Sequence, residues 1–368
     1  MSDRDPQQPR QSAAREFRRR LRYRGTHPRK FEEKYKELDP ERDPETFAKV
    51  LASGKTPAGT HRPILVQEIL ECLAPQPGER FADATFGYGG HSEALLERLC
   101  PGGRLLALDV DPVQLPKTEA RLRTLGYGED HLLVRRRNFA GLAGALEEVG
   151  WTDGVDGLLA DLGLSSMQID DPRRGFSYKH DGPLDMRMNP ERGLSAGDWL
   201  ARCAVEKLAR AIQDGGDEPH ADRIAQAIVT ERDRSPIQTT LRLRRAVEAA
   251  LPPRYDEEDR DRSVARVFQA IRIVVNEEFS ALDAFLSRLP QCLRPGGRVA
   301  ILSFHSGEDR RVKHHFREGY RSGLYAEIAP ELIRPSPEEV RENSRAAPAK
   351  LRWAVRAMRS EGNGPDFA

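Results

Sequence analysis

The feature that most limits the fold is a strand–helix alternation that starts near Arg80, runs to Asp161 and resumes only near Gly297. Phe81-Ala82-Asp83-Ala84-Thr85, Leu105 to Leu108, Leu132 to Val134 and Val155 to Ala160 read as short buried strands. His91 to Leu99 and Leu142 to Val149 have helical spacing. Strands alternating with helices at this pitch predict an α/β fold with a parallel-rich sheet and helices on both faces. The next strand is Val299-Ala300-Ile301-Leu302-Ser303, announced by Arg294-Pro295-Gly296-Gly297, and 135 residues lie between Asp161 and Gly297. A crossover needs about 12 to 40 residues, which leaves on the order of 100 as an insertion. The insertion reads as helical. Val205, Leu208, Ala209 and Ile212 share a face, as do Ile224, Ala225 and Ile228, and Ala246, Val247, Ala250 and Leu251. One long helix is expected to carry Val264, Val267, Phe268, Ile271, Val275, Phe279, Leu282 and Phe285.

The expected organisation is therefore an extension over residues 1–60, a sheet domain over 61–165 and 275–360, and an inserted loop and helical domain over 166–274. From Met1 to Lys30 there are ten Lys or Arg against three acids, and a mixed-charge stretch from Phe31 to Lys49 has the look of a short helix. Low hydrophobicity with high charge predicts a mobile tail, either passive or in contact with RNA phosphates.

Composition narrows the classes further. Lys plus Arg number 59 against 58 Asp plus Glu, so no uniformly basic particle is expected, although local patches stay open. The longest apolar runs fall far short of the roughly 18 residues of a membrane span. No apolar stretch follows Met1, which predicts no secretory leader. Cys72, Cys100, Cys203 and Cys292 are scattered with no CxxC, which predicts neither a disulfide framework nor a metal site and suits the cytoplasm.

Two stretches carry chemistry. Asp83-Ala84-Thr85-Phe86-Gly87-Tyr88-Gly89-Gly90-His91 follows a strand and opens a helix, a place where glycines let backbone approach a ligand. Asp109 ends the next strand, where an acid accepts hydrogen bonds from both ribose hydroxyls of a nucleoside. Its spacing departs from the G-x-G-x-x-G of NAD sites, and S-adenosylmethionine, which has no pyrophosphate, is the other cofactor that fits. In an open α/β sheet ligands lie beyond the carboxyl ends of the strands, so Asp83, Asp109, Asp161 and Ser303 are expected at one crevice. Phe139, just after the third strand, is a candidate for stacking on adenine or for the core. A long polar loop then runs from Asp161 through Arg173, Arg174, Phe176 and Tyr178 to Arg187, and interleaved basic and aromatic residues suit phosphates and unpaired bases.

Two matches lack context. Gly193-Leu194-Ser195-Ala196-Gly197 has no strand before it, and Ser53-Gly54-Lys55-Thr56 has Lys49 where a P-loop needs its first Gly.

Thr85-Phe86-Gly87-x-Gly89-Gly90-His91-Ser92, Asp161-Leu162-Gly163-x-Ser165-Ser166-x-Gln168, Arg174-Gly175-Phe176-Ser177, Asp181 to Met188, Phe268-Gln269-Ala270-x-Arg272-Ile273 and Ser303-Phe304-His305-Ser306 stand in one order. In that order the chain resembles the bacterial ribosomal RNA small subunit methyltransferase H family over about residues 61 to 355. The resemblance implies a Rossmann-like methyltransferase domain with a helical insertion and S-adenosyl-L-methionine (SAM) as methyl donor. It further implies transfer to N4 of a cytosine in the decoding region of 16S ribosomal RNA, within the small subunit. Carried over by motif, the cofactor contacts are Gly89, Gly90, His91, Asp109, Phe139, Asp161 and Gln168. Asp161 is the expected catalytic residue. Arg173, Arg174, Phe176, Tyr178, Arg187 and His305 are the expected RNA contacts. A homodimer is compatible with the resemblance. Ala84, Tyr88, Gly307, the segment Asn343 to Arg352 and the 60-residue extension depart from the family's usual pattern. Direct transfer is the expected chemistry, since no Pro-Cys dipeptide offers a covalent route. A nicotinamide-dependent oxidoreductase and a non-catalytic RNA-binding assembly factor are the competing readings.

Overall fold

The structure is a computed structural model that describes residues 63–358. The basic tail, the 31–49 stretch and Ser53 to Thr56 lie outside the described residues. Strands β1 (Arg80–Asp83), β2 (Arg104–Asp109), β3 (Leu132–Arg136), β4 (Val155–Asp161), β5 (Leu293–Ser303), β6 (Tyr325–Ile328) and β7 (Lys350–Arg356) form one sheet in the order β3-β2-β1-β4-β5-β7-β6. The first five are parallel, and β7 and β6 run antiparallel at one edge. The strand order reverses between β1 and β4, the place where open α/β sheets bind ligands. This is a Rossmann-like α/β fold.

Side chains alternate along each strand, and both faces are buried. Ala82, Leu106, Leu158, Val299 and Ile301 pack with Leu142, Phe285, Leu289 and Phe316 on one face. Phe81, Leu105, Leu159, Ala300 and Leu302 pack with Leu65, Ile69, Leu95, Leu99 and Leu122 on the other. The parallel strands therefore read as apolar runs rather than as alternating polar and apolar residues.

Between β4 and β5 the chain forms a helical body with a core of its own. Helices α6 (Ala196–Arg202), α7 (Val205–Gly216), α8 (Ala221–Arg234), α9 (Thr240–Ala250) and α10 (Glu257–Val275) contribute Leu200, Leu208, Ile212, Ile224, Ile228, Val247, Val267 and Ile271 to it. Helices α7 and α10 touch closely because Gly215 and Gly216 carry no Cβ; one at Gly216 would stand 2.7 Å from the Arg266 carbonyl oxygen. Ser195, central to the G-x-S-x-G match, caps α6 by accepting from the Asp198 amide at 3.1 Å.

The expected single helix from Val264 to Phe285 is two. It stops at Val275 and restarts at Glu278, with Glu277 in the left-handed region at φ 53°. Asn276 makes the break: its amide donates to the Met186 and Arg272 carbonyls at 2.7 and 2.9 Å and accepts from the Met188 amide at 2.7 Å. Apolar periodicity continues across the break because each helix buries a stripe, the first in the core of the insertion through Val267 and Ile271, the second in the core of the sheet through Leu282 and Phe285. The second helix, α11 (Glu278–Cys292), returns the chain to the sheet.

Candidate active site

A cleft of about 820 Å³ opens at the carboxyl ends of β1, β2 and β4. Gly89, Gly90, His91, Asp109, Phe139, Asp161 and Gln168, all seven expected cofactor contacts, line it. The turn from Phe86 to Gly90 is held by the Asp109 carboxylate, which accepts from the Gly87 amide at 2.8 Å and the Asp111 amide at 2.9 Å. Burial pushes the Asp109 carboxyl up to about 6, against those two amides. The glycines divide in their reasons. A Cβ on Gly90 would stand 2.5 Å from Pro63, and one on Gly89 2.8 Å from the Thr118 methyl, so protein packing already requires both. Gly87, at φ 47°, lines the cleft, and a Cβ there would meet the Thr85 carbonyl oxygen at an ordinary 3.8 Å. It is the position where a ligand can come close to backbone.

Of the four strand-end groups, Asp109 and Asp161 line the cleft, whereas Asp83 and Ser303 do not. Asp83 is buried beneath it, accepting from the Ser92 hydroxyl at 2.6 Å and the Thr85 amide at 3.0 Å, with its pKa raised by burial. Ser303 is buried against β7. Thr85 relays the network, its hydroxyl accepting from the Asp161 amide at 2.6 Å. His91 Nε2 approaches Asp161 Oδ2 at 3.4 Å without hydrogen-bond geometry, so both ring nitrogens of a histidine only 8% exposed lack a hydrogen-bond partner among the described residues. Buried polar atoms left unpaired at a cleft are what a bound polar ligand would satisfy. Phe139 meets Phe285 edge-on at 5.5 Å and also lines the cleft, so it serves both core and cavity.

The 163–188 loop is more ordered than its polarity suggested. Ser165 and Gln168 form a capping box on a one-turn helix, and the Gln168 amide donates to Asp111 at 2.8 Å. Asp111, 1% exposed, also accepts from Arg174 at 2.8 Å. Arg174 donates onward to the Met188 carbonyl at 2.9 Å and lies over the Phe176 ring.

These placements change the reading of the expected RNA contacts. Arg174 is spent in a buried ion pair, Arg187 in a two-pronged pair with Asp185, and Phe176 is buried in the helical core. His305 is buried beside Glu308, its Nε2 3.2 Å from the carboxylate. Tyr178 does line the cleft, packed edge-on against Phe268, and Arg173 is exposed beside Asp171. Arg174→Ala should leave Asp111 buried with the Gln168 amide but no countercharge and cost about 3 to 5 kcal/mol in urea unfolding. A phosphate contact would leave stability unchanged.

The far wall of the cleft was not foreseen. Gln269, Arg272 and Asn276 from the end of α10, Glu278, Phe304 and Glu308 all line it. Arg272 donates to both Glu278 oxygens at 2.8 Å each. Burial pushes the Glu308 carboxyl up, but His305, Arg272 and the Phe304 amide together hold it below the ordinary range. Glu278, His305 and Glu308 could converge on a cation, but both Glu278 oxygens accept from Arg272, which supplies the positive charge. Arg345 closes the cleft from the C-terminal side, donating to Asp170 at 2.6 Å and to the Ser166 carbonyl at 3.2 Å.

A family model described as the MraW methylase family matches residues 58–357. The chain belongs to that family. Among similar proteins, ribosomal RNA small subunit methyltransferase H 1 of Agathobacter rectalis is 47% identical over 350 residues, 94% of this chain and 99% of its own. Ribosomal RNA small subunit methyltransferase H 2 of Alkaliphilus metalliredigens is 49% identical over 343 residues, 92% of this chain and 97% of its own. A match over 94% of the methylase must reach into residues 1–60, so part of the extension has counterparts in relatives rather than being peculiar to this chain. No helix among the described residues of the methylase is long and apolar enough to cross a membrane.

Proposed function

We propose that this methylase transfers a methyl group from SAM to N4 of a cytosine in the decoding region of 16S ribosomal RNA, acting on the small subunit in the cytoplasm. The observation that carries the reading is a single cleft with two unlike walls. The strand-end wall holds every residue expected to contact SAM. The facing wall, from the insertion, α11 and the segment after β5, is polar and aromatic, as a wall that receives a base would be. The names of full-length relatives support a ribosomal RNA substrate.

Asp109 would hold the ribose hydroxyls, Phe139 the adenine, and Gly87 with His91 the remainder of the cofactor. When bound, SAM supplies an electrophilic methyl group. The protein's own task is to present the acceptor. A cytosine amine has its lone pair delocalised into the ring, so it must be positioned and its N–H hydrogen-bonded. A base cannot enter this cleft while stacked, so the nucleotide is extruded or already unpaired. Asp161, at the end of β4 and open to the cleft, would accept an amine N–H. The Thr85 hydroxyl holds its backbone, and His91 lies beside its carboxylate.

Labelled methyl transfer into assembled small subunits, followed by nucleoside analysis, should yield N4-methylcytidine. Another modified nucleoside, or none, would refute the assignment. Asp161→Ala should lower turnover about a hundredfold. A loss of SAM affinity with turnover unchanged at saturation would make Asp161 a cofactor contact only.

A further inference from the structure

A second groove lies wholly on the helical insertion and shares no lining residue with the active cleft. It encloses about 950 Å³ between α8 and α9. Arg223, Ala227, Thr230 and Arg234 line one wall at spacings of four, three and four, a single face of α8. Arg242, Arg245 and Ala249 do the same on α9. Alanines form much of the floor, leaving the space that larger side chains would fill.

The charges in the groove do not cancel. Arg242 donates to Glu231 at 2.8 Å and to the Ser235 hydroxyl at 2.8 Å, tying the two helices together. Asp181 is turned onto the Gly182 and Leu241 amides at 3.1 and 3.3 Å. Arg223, Arg234 and Arg245 are exposed and have no ion-pair or hydrogen-bond partner among the described residues. Arg223 and Arg234 stand roughly 16 Å apart along the helix axis. Three guanidinium forks without a salt-bridge partner among the described residues, on a concave surface whose four arginines outnumber Asp181 and Glu231 by two, match a row of phosphates. A protein partner would need apolar anchors at the centre of its interface, and this groove offers mainly alanine.

We propose that this groove binds the phosphate backbone of the RNA substrate, away from the reacting base. The inference rests on the RNA reading above. It moves the electrostatic hold from the 173–187 loop, whose arginines are internally paired, to the outer face of the insertion.

The test compares wild type, the triple Arg223→Ala/Arg234→Ala/Arg245→Ala variant and the corresponding triple Lys variant. The probe is a labelled stem-loop of 16S ribosomal RNA spanning the decoding-region cytosine, titrated between about 50 and 200 mM salt. The Ala variant should bind roughly tenfold or more weakly at low salt, with a log–log salt slope smaller by about two. The Lys variant should keep the slope, and SAM affinity should be equal in all three. An unchanged slope in the Ala variant would overturn the groove alone. Normal binding to the stem-loop with weakened binding to assembled small subunits would overturn it in favour of a ribosomal protein partner. Failure of the wild type to bind any RNA would overturn both the groove and the substrate reading.

Discussion

Arg272→Leu should destabilise the protein by about 3 to 5 kcal/mol in urea unfolding and remove methyl transfer. Arg272 neutralises Glu278 through two hydrogen bonds and helps hold the neighbouring Glu308 ionised. Without it two carboxylates stay buried at one wall of the cleft with no cation between them. Glu308, which Arg272 helps hold below the ordinary range, would then protonate more readily. The pH dependence has a definite sign. A carboxyl held below its ordinary pKa contributes stability above that ordinary value, and the contribution is lost as pH falls through the depressed one. In the variant, the Glu308 share should be lost at higher pH than in the wild type. The double variant Arg272→Leu/Glu278→Leu should regain much of the stability, because replacing both partners of a buried pair by apolar groups is often neutral. It should not regain methyl transfer. Recovery of both would make the pair structural and remove it from the acceptor wall.

Asp109→Ala should weaken SAM binding by at least about a hundredfold in calorimetry, from the loss of two charge-assisted hydrogen bonds. Asp109→Asn keeps one oxygen for the Gly87 amide but turns an NH2 toward the Asp111 amide, so it should lose about 1 to 3 kcal/mol of stability, still fold, and bind SAM poorly. Unchanged affinity would remove the ribose assignment. Because Asp109 ionises only at about 6, SAM affinity of the wild type should fall as pH drops through that value, about tenfold per unit below it. The Asn variant should lack this dependence.

The strands that position the site were legible because each is an apolar run buried on both faces. Asp109 and Asp161 were legible because strand ends in such sheets face ligand. The same rule misplaced Asp83 and Ser303, which sit at the same ends but are turned inward to the Ser92 hydroxyl and to β7. Residue type alone does not reveal whether Arg174 meets a phosphate or Asp111, since that partner lies 63 positions away. Arg272 and Glu278 meet only because the helix breaks at Asn276, and apolar periodicity runs through that break unchanged. Strands β6 and β7 escaped because neither reads as an apolar run: β6 is largely exposed, and β7 interleaves its two buried positions with Lys350, Arg352 and Arg356.

Strand β7 also sets a timetable for synthesis. It is the last strand made, yet it lies between β5 and β6, so β6 has no neighbour in the sheet until β7 arrives. The segment just before it, from Asn343 to Pro348, closes the cleft. A nascent chain can complete its helical insertion long before it owns a finished site. The enzyme becomes competent only when nearly its whole length has left the ribosome, and a stop codon shortly before Asn343 would yield a chain with most of its core and no closed cleft.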